Sequence, residues 1–293
     1  MASGQIQNLI VYFRNTAFEK FTMSRPSFVI FAQNYLSALL SDYGNVFLNE
    51  PVPRDPKLRV YKHPSRSNWG GAYLKTVLTD NARVMVSPEV IAEAQLVDVL
   101  FEPDRNKSRT SLGLLGELTS SPCIIETLRW SPNTSELRTC LQHCLIWKTE
   151  TNGGIIPVSE TLANTDGEES EKTEEDNKSL LIIVPSILPE YIQGFGAKPS
   201  AINISGVYDL PPFLCTTIVV TSELPLDIST LWLRILGRGK TQRQTIMELV
   251  KSDIDDPLYI LARQQLRQWY QLLLQGQMGK ESKLLMQTLA SLI

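Results

Sequence analysis

Two stretches, Leu180 to Val184 and Cys215 to Thr221, are apolar or β-branched almost throughout and have strand length. A strand that is apolar on both sides must be covered on both sides, so these runs predict central strands of a sheet with helices packed on its faces. Helical spacing accompanies them. Phe28, Phe31, Ala32, Tyr35, Leu36, Leu39 and Leu40 form one apolar stripe behind Pro26 and a capping Ser27, and Gly44 ends it. Leu137, Cys140, Leu141, Cys144 and Leu145 form another, in a helix expected from about Ser135 to Lys148. Strands and helices interleaved in this way predict an α/β class with a mixed central sheet and flanking helices.

Further strands are expected at Val46 to Leu48, Arg83 to Val86, Gln95 to Phe101 and Ile124 to Trp130, and a short helix at Ile187 to Gly194. Residues 1–26 read as an irregular lead-in, and residues 27–228 as the α/β core. Two segments interrupt that core. Residues 50–80, rich in Pro, Gly and basic residues, read as a long loop; residues 160–178, acidic and rich in Ser and Thr, read as a disordered linker. From about 229 to 293 the pattern is helical, with Trp232, Leu233, Leu236, Ile246, Leu249, Leu266, Trp269 and Leu273 as its apolar positions.

The formal net charge of -3 over 293 residues gives no global signal for nucleic-acid binding, so any such contact needs a local basic patch. Four dispersed cysteines, Cys123, Cys140, Cys144 and Cys215, do not make a disulfide framework, and reduced thiols are expected. No segment reads as a signal peptide or reaches the roughly 20 apolar residues needed to span a bilayer. A cytoplasmic protein with no membrane partner and no small-molecule cofactor is the expectation.

Several patterns bear on chemistry. Cys140-x-x-His143-Cys144 has soft ligands suited to zinc, but both thiols fall on one apolar helix stripe, where core packing is the simpler role. Gly237-Arg-Gly-Lys-Thr241 resembles part of a phosphate-binding loop, but Arg234 stands where the first Gly belongs, so a helix C-cap and turn is expected. Arg234, Arg238, Lys240 and Arg243 can touch an anionic partner or form a solvated face with Glu248 nearby, and the solvated face is the simpler expectation. In the loop, Arg54, Arg59, Lys62 and Arg66 are interleaved with Trp69; cations for phosphates and an aromatic for bases make this the candidate DNA contact, beside the simpler role of a solvated loop. His63 lies in the same loop and is expected to be exposed.

Asp98 and Glu126 each sit inside an apolar strand, Val97-Asp-Val99 and Ile125-Glu-Thr127. A carboxylate there is costly unless it is paired or bound to a metal. Two on adjacent strands can hold a hard divalent cation such as magnesium, or each can pair with Arg129, Arg138 or Lys148.

Gly206-Val-Tyr-Asp-Leu210, Thr217-Ile-Val-Val220, Leu224-Pro225 and the run Thr230 to Gly239 resemble a family of uncharacterised cyanobacterial proteins often labelled flagellar assembly proteins. Val97 to Pro103, Leu112 to Gly116 and Gly194-Phe-Gly196 resemble it too. Nothing in the composition supports the flagellar label. More distantly, that family resembles the Rpn-type putative transposases and the PD-(D/E)XK nuclease superfamily. The resemblance implies a restriction-endonuclease-like sheet, with Asp98 and Glu126 as the acids of two successive metal-binding strands. It also implies a lysine two residues after Glu126, where this chain has Leu128; Arg138, Gln142 and Lys148 on the next helix are the candidates to replace it. The early helix offers Asn34 and Ser37 where a further acid would be useful. Two functions follow as expectations: magnesium-dependent hydrolysis of DNA, or a non-catalytic protein that keeps the fold as a binding or assembly module for a protein partner.

Overall fold

The computed structural model describes residues 27–52, 60–61, 90–91, 95–151, 179–252, 255–275 and 283–291. The lead-in, the acidic linker, the expected strand at Arg83 to Val86, and the loop residues Arg54, Arg59, Lys62, Arg66, Trp69 and His63 lie outside them. Within the described part, helix α1 (Ser27–Leu40) leads into strand β1 (Gly44–Val52), which runs longer than the three residues expected from the sequence. Pro51 is tolerated in β1 because β1 is an edge strand of the main sheet. Two-residue strands β2 (Val60–Tyr61) and β3 (Val90–Ile91) pair with each other, so the segment read as loop contributes one strand to a small ladder.

The order continues with β4 (Gln95–Pro103), α2 (Leu114–Leu118), β5 (Cys123–Thr127), α3 (Thr134–Thr151) and β6 (Ser179–Val184). Next come α4 (Pro189–Gly194), β7 (Lys198–Pro199), β8 (Val207–Asp209) and β9 (Thr216–Val220). The chain closes with α5 (Leu231–Arg234), α6 (Gly239–Lys251), α7 (Pro257–Leu274) and α8 (Lys283–Ala290). The seven-stranded sheet is ordered β1-β4-β5-β6-β9-β8-β7. The β5-β6 and β6-β9 pairs are parallel, and the pairs on either side of them antiparallel. The sheet is thus mixed, as expected.

Both faces of the three parallel strands are buried, which explains the apolar runs in them, Cys123 to Ile125, Leu180 to Val184 and Ile218 to Val220. Cys123, Ile125, Leu181, Ile183 and Val219 join one core with α1 and the C-terminal helices. Ile124, Leu180, Ile182, Val184, Ile218 and Val220 join a second core with Leu137, Cys140, Cys144 and Trp147 of α3. The C-terminal helices therefore complete a layer over the sheet beside α1. Phe31 of α1 stacks on Trp269 of α7 at a ring separation of 4.3 Å, and the Tyr35 hydroxyl donates to the Trp232 carbonyl. Gly113 (φ 52°) passes against the Ser229 backbone, where a side chain has no room. Among the described residues no helix is long and apolar enough to cross a membrane.

Candidate functional site

The antiparallel ladder between β4 and β5 pairs Phe101 with Cys123, Leu100 with Ile124 and Val99 with Ile125. Asp98 and Glu126 follow at the end of that ladder. There the Asp98 side chain replaces a backbone acceptor: its Oδ2 takes the Thr127 N–H at 3.1 Å and the Thr127 hydroxyl at 3.2 Å. On the other side of β4, the pairing with β1 skips Asn49 opposite Asp98, and Asn49 takes a left-handed conformation (φ 53°). Gln33 of α1, 4% exposed, ties these groups together. Its amide donates to Asn49 Oδ1 at 2.9 Å, to the Asp98 carbonyl at 3.2 Å and to Asp98 Oδ1 at 3.3 Å.

Glu126 is engaged from the opposite face. Buried at 6% exposure, its Oε1 lies 2.8 Å from Nδ1 of His143, itself buried on α3. Where the carboxylate oxygen is the acceptor, the ring donates its Nδ1–H. One turn earlier on α3, the Cys140 thiol is pushed well above its ordinary value, first by burial and then by the negative charges of Glu126 and Asp98. Burial also pushes the Cys144 thiol up to about 11, although Lys148 nearby draws it down. Cys140 and Cys144 are thus core thiols held protonated, in keeping with the apolar stripe that contains them.

The two acids are adjacent in the sheet but are drawn to different partners. Asp98 is held by Thr127 and by α1, Glu126 by α3, and these helices cover opposite faces. Glu126 meets His143, not Arg129, Arg138 or Lys148. Arg138 and Gln142 are exposed on α3, and Lys148 is half-buried near Cys144. Leu128 packs against the α3-side core, on the face of the sheet that Glu126 occupies. Arg129 goes the other way. Its guanidinium lies 4.5 Å from the Phe28 ring centroid and donates to the Gly237 carbonyl and to Gln242 Oε1.

A hard divalent cation needs several oxygen ligands free to turn towards it. Asp98 spends both oxygens on N–H and O–H donors, and Glu126 has an imidazole on Oε1. Among the described residues no group of three or more His, Cys, Asp or Glu is placed to hold a metal ion. In this arrangement hydrogen-bonding groups already engage both carboxylates.

The helix α1 residue that reaches Asp98 is Gln33, not Asn34, which is exposed, or Ser37, which is half-buried. Gln33 was legible in principle: it lies three and seven positions before Leu36 and Leu40, on the buried side of the stripe. His143 had the same signal, three residues after Cys140 and four before Trp147. The basic cluster also needs correcting. Arg234 is 1% exposed, not solvated, and donates to Thr230 Oγ1, Thr245 Oγ1, the Asp227 carbonyl and Glu248 Oε2. Arg238 and Lys240 are exposed, and Arg243 is half-buried. The expected turn does occur at Gly237, where the N–H bonds to the Arg234 carbonyl, and α6 starts at Gly239. Comparisons of the chain with protein-family profiles, with curated proteins and with solved structures returned no match.

Proposed function

We propose that this chain is a catalytically silent protein of nuclease-like architecture that serves as a binding or assembly module. The observation that carries this is the neutral Gln33 amide bonded to Asp98. A third acid would help to gather a cation at that point, whereas an amide instead satisfies the carboxylate by hydrogen bonding. Two further features support it. Glu126 is occupied by His143, and Leu128 offers an apolar side chain where the resemblance calls for a lysine to steady the attacking water. The mixed sheet with helices on both faces, and the adjacent acids at the end of one ladder, support descent from a nuclease-like core.

The test is calorimetric titration of magnesium and manganese into the protein and into Asp98→Ala, with plasmid nicking assayed in parallel. No saturable metal binding and no nicking by either protein is the expected result. Metal-dependent nicking that disappears in Asp98→Ala would overturn the proposal and establish hydrolysis at Asp98 and Glu126.

A further inference from the structure

Ligands of open α/β sheets bind outside the carboxyl ends of the parallel strands, where loops diverge and backbone amides point outward. In this chain that place is a cleft of about 650 Å³. Its walls come from the residues that follow the three parallel strands: Arg129 and Ser131 after β5, Ser186 after β6, and Ser222 after β9. The last two loops are joined, since the Thr221 N–H bonds to the Val184 carbonyl and the Ser222 N–H to the Pro185 carbonyl. The floor is therefore an extension of the sheet.

The remaining wall is the start of α6, with Arg238, Gly239 and Arg243. Three arginines thus line one cleft of a chain whose net charge is -3. Clustered guanidinium groups draw an anion, and arginine's planar fork matches phosphate oxygens. Two of the three are positioned by packing. Arg129 is held from behind by Phe28, Gly237 and Gln242. The Arg238 guanidinium carbon lies 3.4 Å from the centroid of the Trp130 ring. Gly239 has φ 63°, and a side chain added there would meet no described residue within 4 Å. The three serine hydroxyls supply neutral partners for further oxygens. Trp130, 46% exposed, adds an aromatic surface at the rim.

We propose that the cleft at the carboxyl ends of β5, β6 and β9 binds the phosphate group of a small ester with a flat ring, of the size and chemistry of a nucleoside monophosphate. The cleft includes neither Asp98 nor Glu126, so this site is independent of the reading of the carboxylate pair. A cleft of this volume suits a ligand of that size.

The experiment is calorimetric titration of adenosine monophosphate into the full chain in EDTA, with adenosine and inorganic phosphate as the other probes. Adenosine monophosphate is expected to bind, phosphate to compete with it, and adenosine to bind at least tenfold more weakly. The Arg238→Gln/Arg243→Gln double variant is expected to lose at least tenfold in affinity while its ligand-free melting temperature stays within about 2 °C, because both side chains reach solvent. Arg238→Lys, which keeps the charge, is expected to retain most of the binding. Equal affinity for adenosine and its monophosphate, unchanged affinity in the double variant, or no saturation by about 10 mM monophosphate would each overturn the proposal. Tight binding of a single-stranded oligonucleotide through the same arginines, with no binding of the monophosphate, would overturn it in favour of a nucleic-acid site.

Discussion

Replacing Gln33 by glutamate changes one group and keeps the shape of the side chain, so it isolates the electrostatics of the candidate site. The amide now donates to Asn49 Oδ1, to the Asp98 carbonyl and to Asp98 Oδ1. In Gln33→Glu those acceptors face a carboxylate. At an effective dielectric of about 20, two unit charges at the 3.3 Å separation of Nε2 from Asp98 Oδ1 repel by about 5 kcal/mol. Taking up a proton is the cheaper route. Protonating a carboxyl of ordinary pKa near 4.3 costs about 4 kcal/mol at pH 7 and about 1 kcal/mol at pH 5. The protonated acid can still donate one hydrogen bond, so proton uptake sets the destabilisation. The sign follows from linkage: the introduced carboxyl has its folded pKa raised, so the variant keeps its stability below about pH 4 and loses it as pH rises through the folded pKa. Urea unfolding of wild type and Gln33→Glu is therefore expected to differ by about 4 kcal/mol at pH 7 and about 1 kcal/mol at pH 5. At pH 7 this corresponds to a fall in melting temperature of roughly 8–16 °C. Equal deficits at the two pH values would refute the reasoning. Full recovery in millimolar magnesium would show that the carboxylates can turn to a cation, against the donor geometry described above.

Two other outcomes follow from buried groups elsewhere. Arg234→Met, which removes donors to the buried Thr230 and Thr245 hydroxyls and to the exposed Asp227 carbonyl and Glu248 carboxylate, is expected to cost roughly 3 kcal/mol in urea unfolding, and a change below about 1 kcal/mol would mean that the network is not stabilising. Burial pushes the Cys123 thiol up to about 12 from an ordinary 9.0; because the folded pKa is the raised one, this contribution is complete below pH 9.0 and is lost as pH rises towards 12, so unfolding curves from pH 8 to 11 should show falling stability with a shallower slope in Cys123→Ala, and equal slopes would sink the assignment.

The central strands and the principal helices could be read from the sequence because burial on two faces leaves an apolar run and burial on one face leaves a stripe. Leu180 to Val184 and the α1 stripe are such cases; the strand lies within one residue of its expected bounds, whereas the helix stops at Leu40, ahead of Gly44, which opens β1. The short strands β7 and β8 left no such trace. Lys198 and Pro199 are exposed, and Val207–Asp209 is too brief for alternation to show. The long β1 was obscured by Asn49, Glu50 and Pro51, residues that usually mark loops and are tolerated on a sheet edge.

The candidate site was half legible for a related reason. An acid in an apolar strand is conspicuous, so Asp98 and Glu126 stood out, whereas a buried amide or imidazole on a helix resembles a surface residue until the helix is docked. Gln33 and His143 are the groups that decide what the acids do, and they come from helices on opposite faces of the sheet. The same holds for the arginine-lined cleft. Arg129, Arg238 and Arg243 are separated by up to 114 positions, and only the parallel strands and the turn at Gly237 bring them to one place. Local sequence revealed the strong anomalies, single acids among apolar neighbours, and tertiary packing supplied their partners. That division explains why the strands alone show two adjacent acids, while the helices give half-buried Asp98 and buried Glu126 different hydrogen-bond partners.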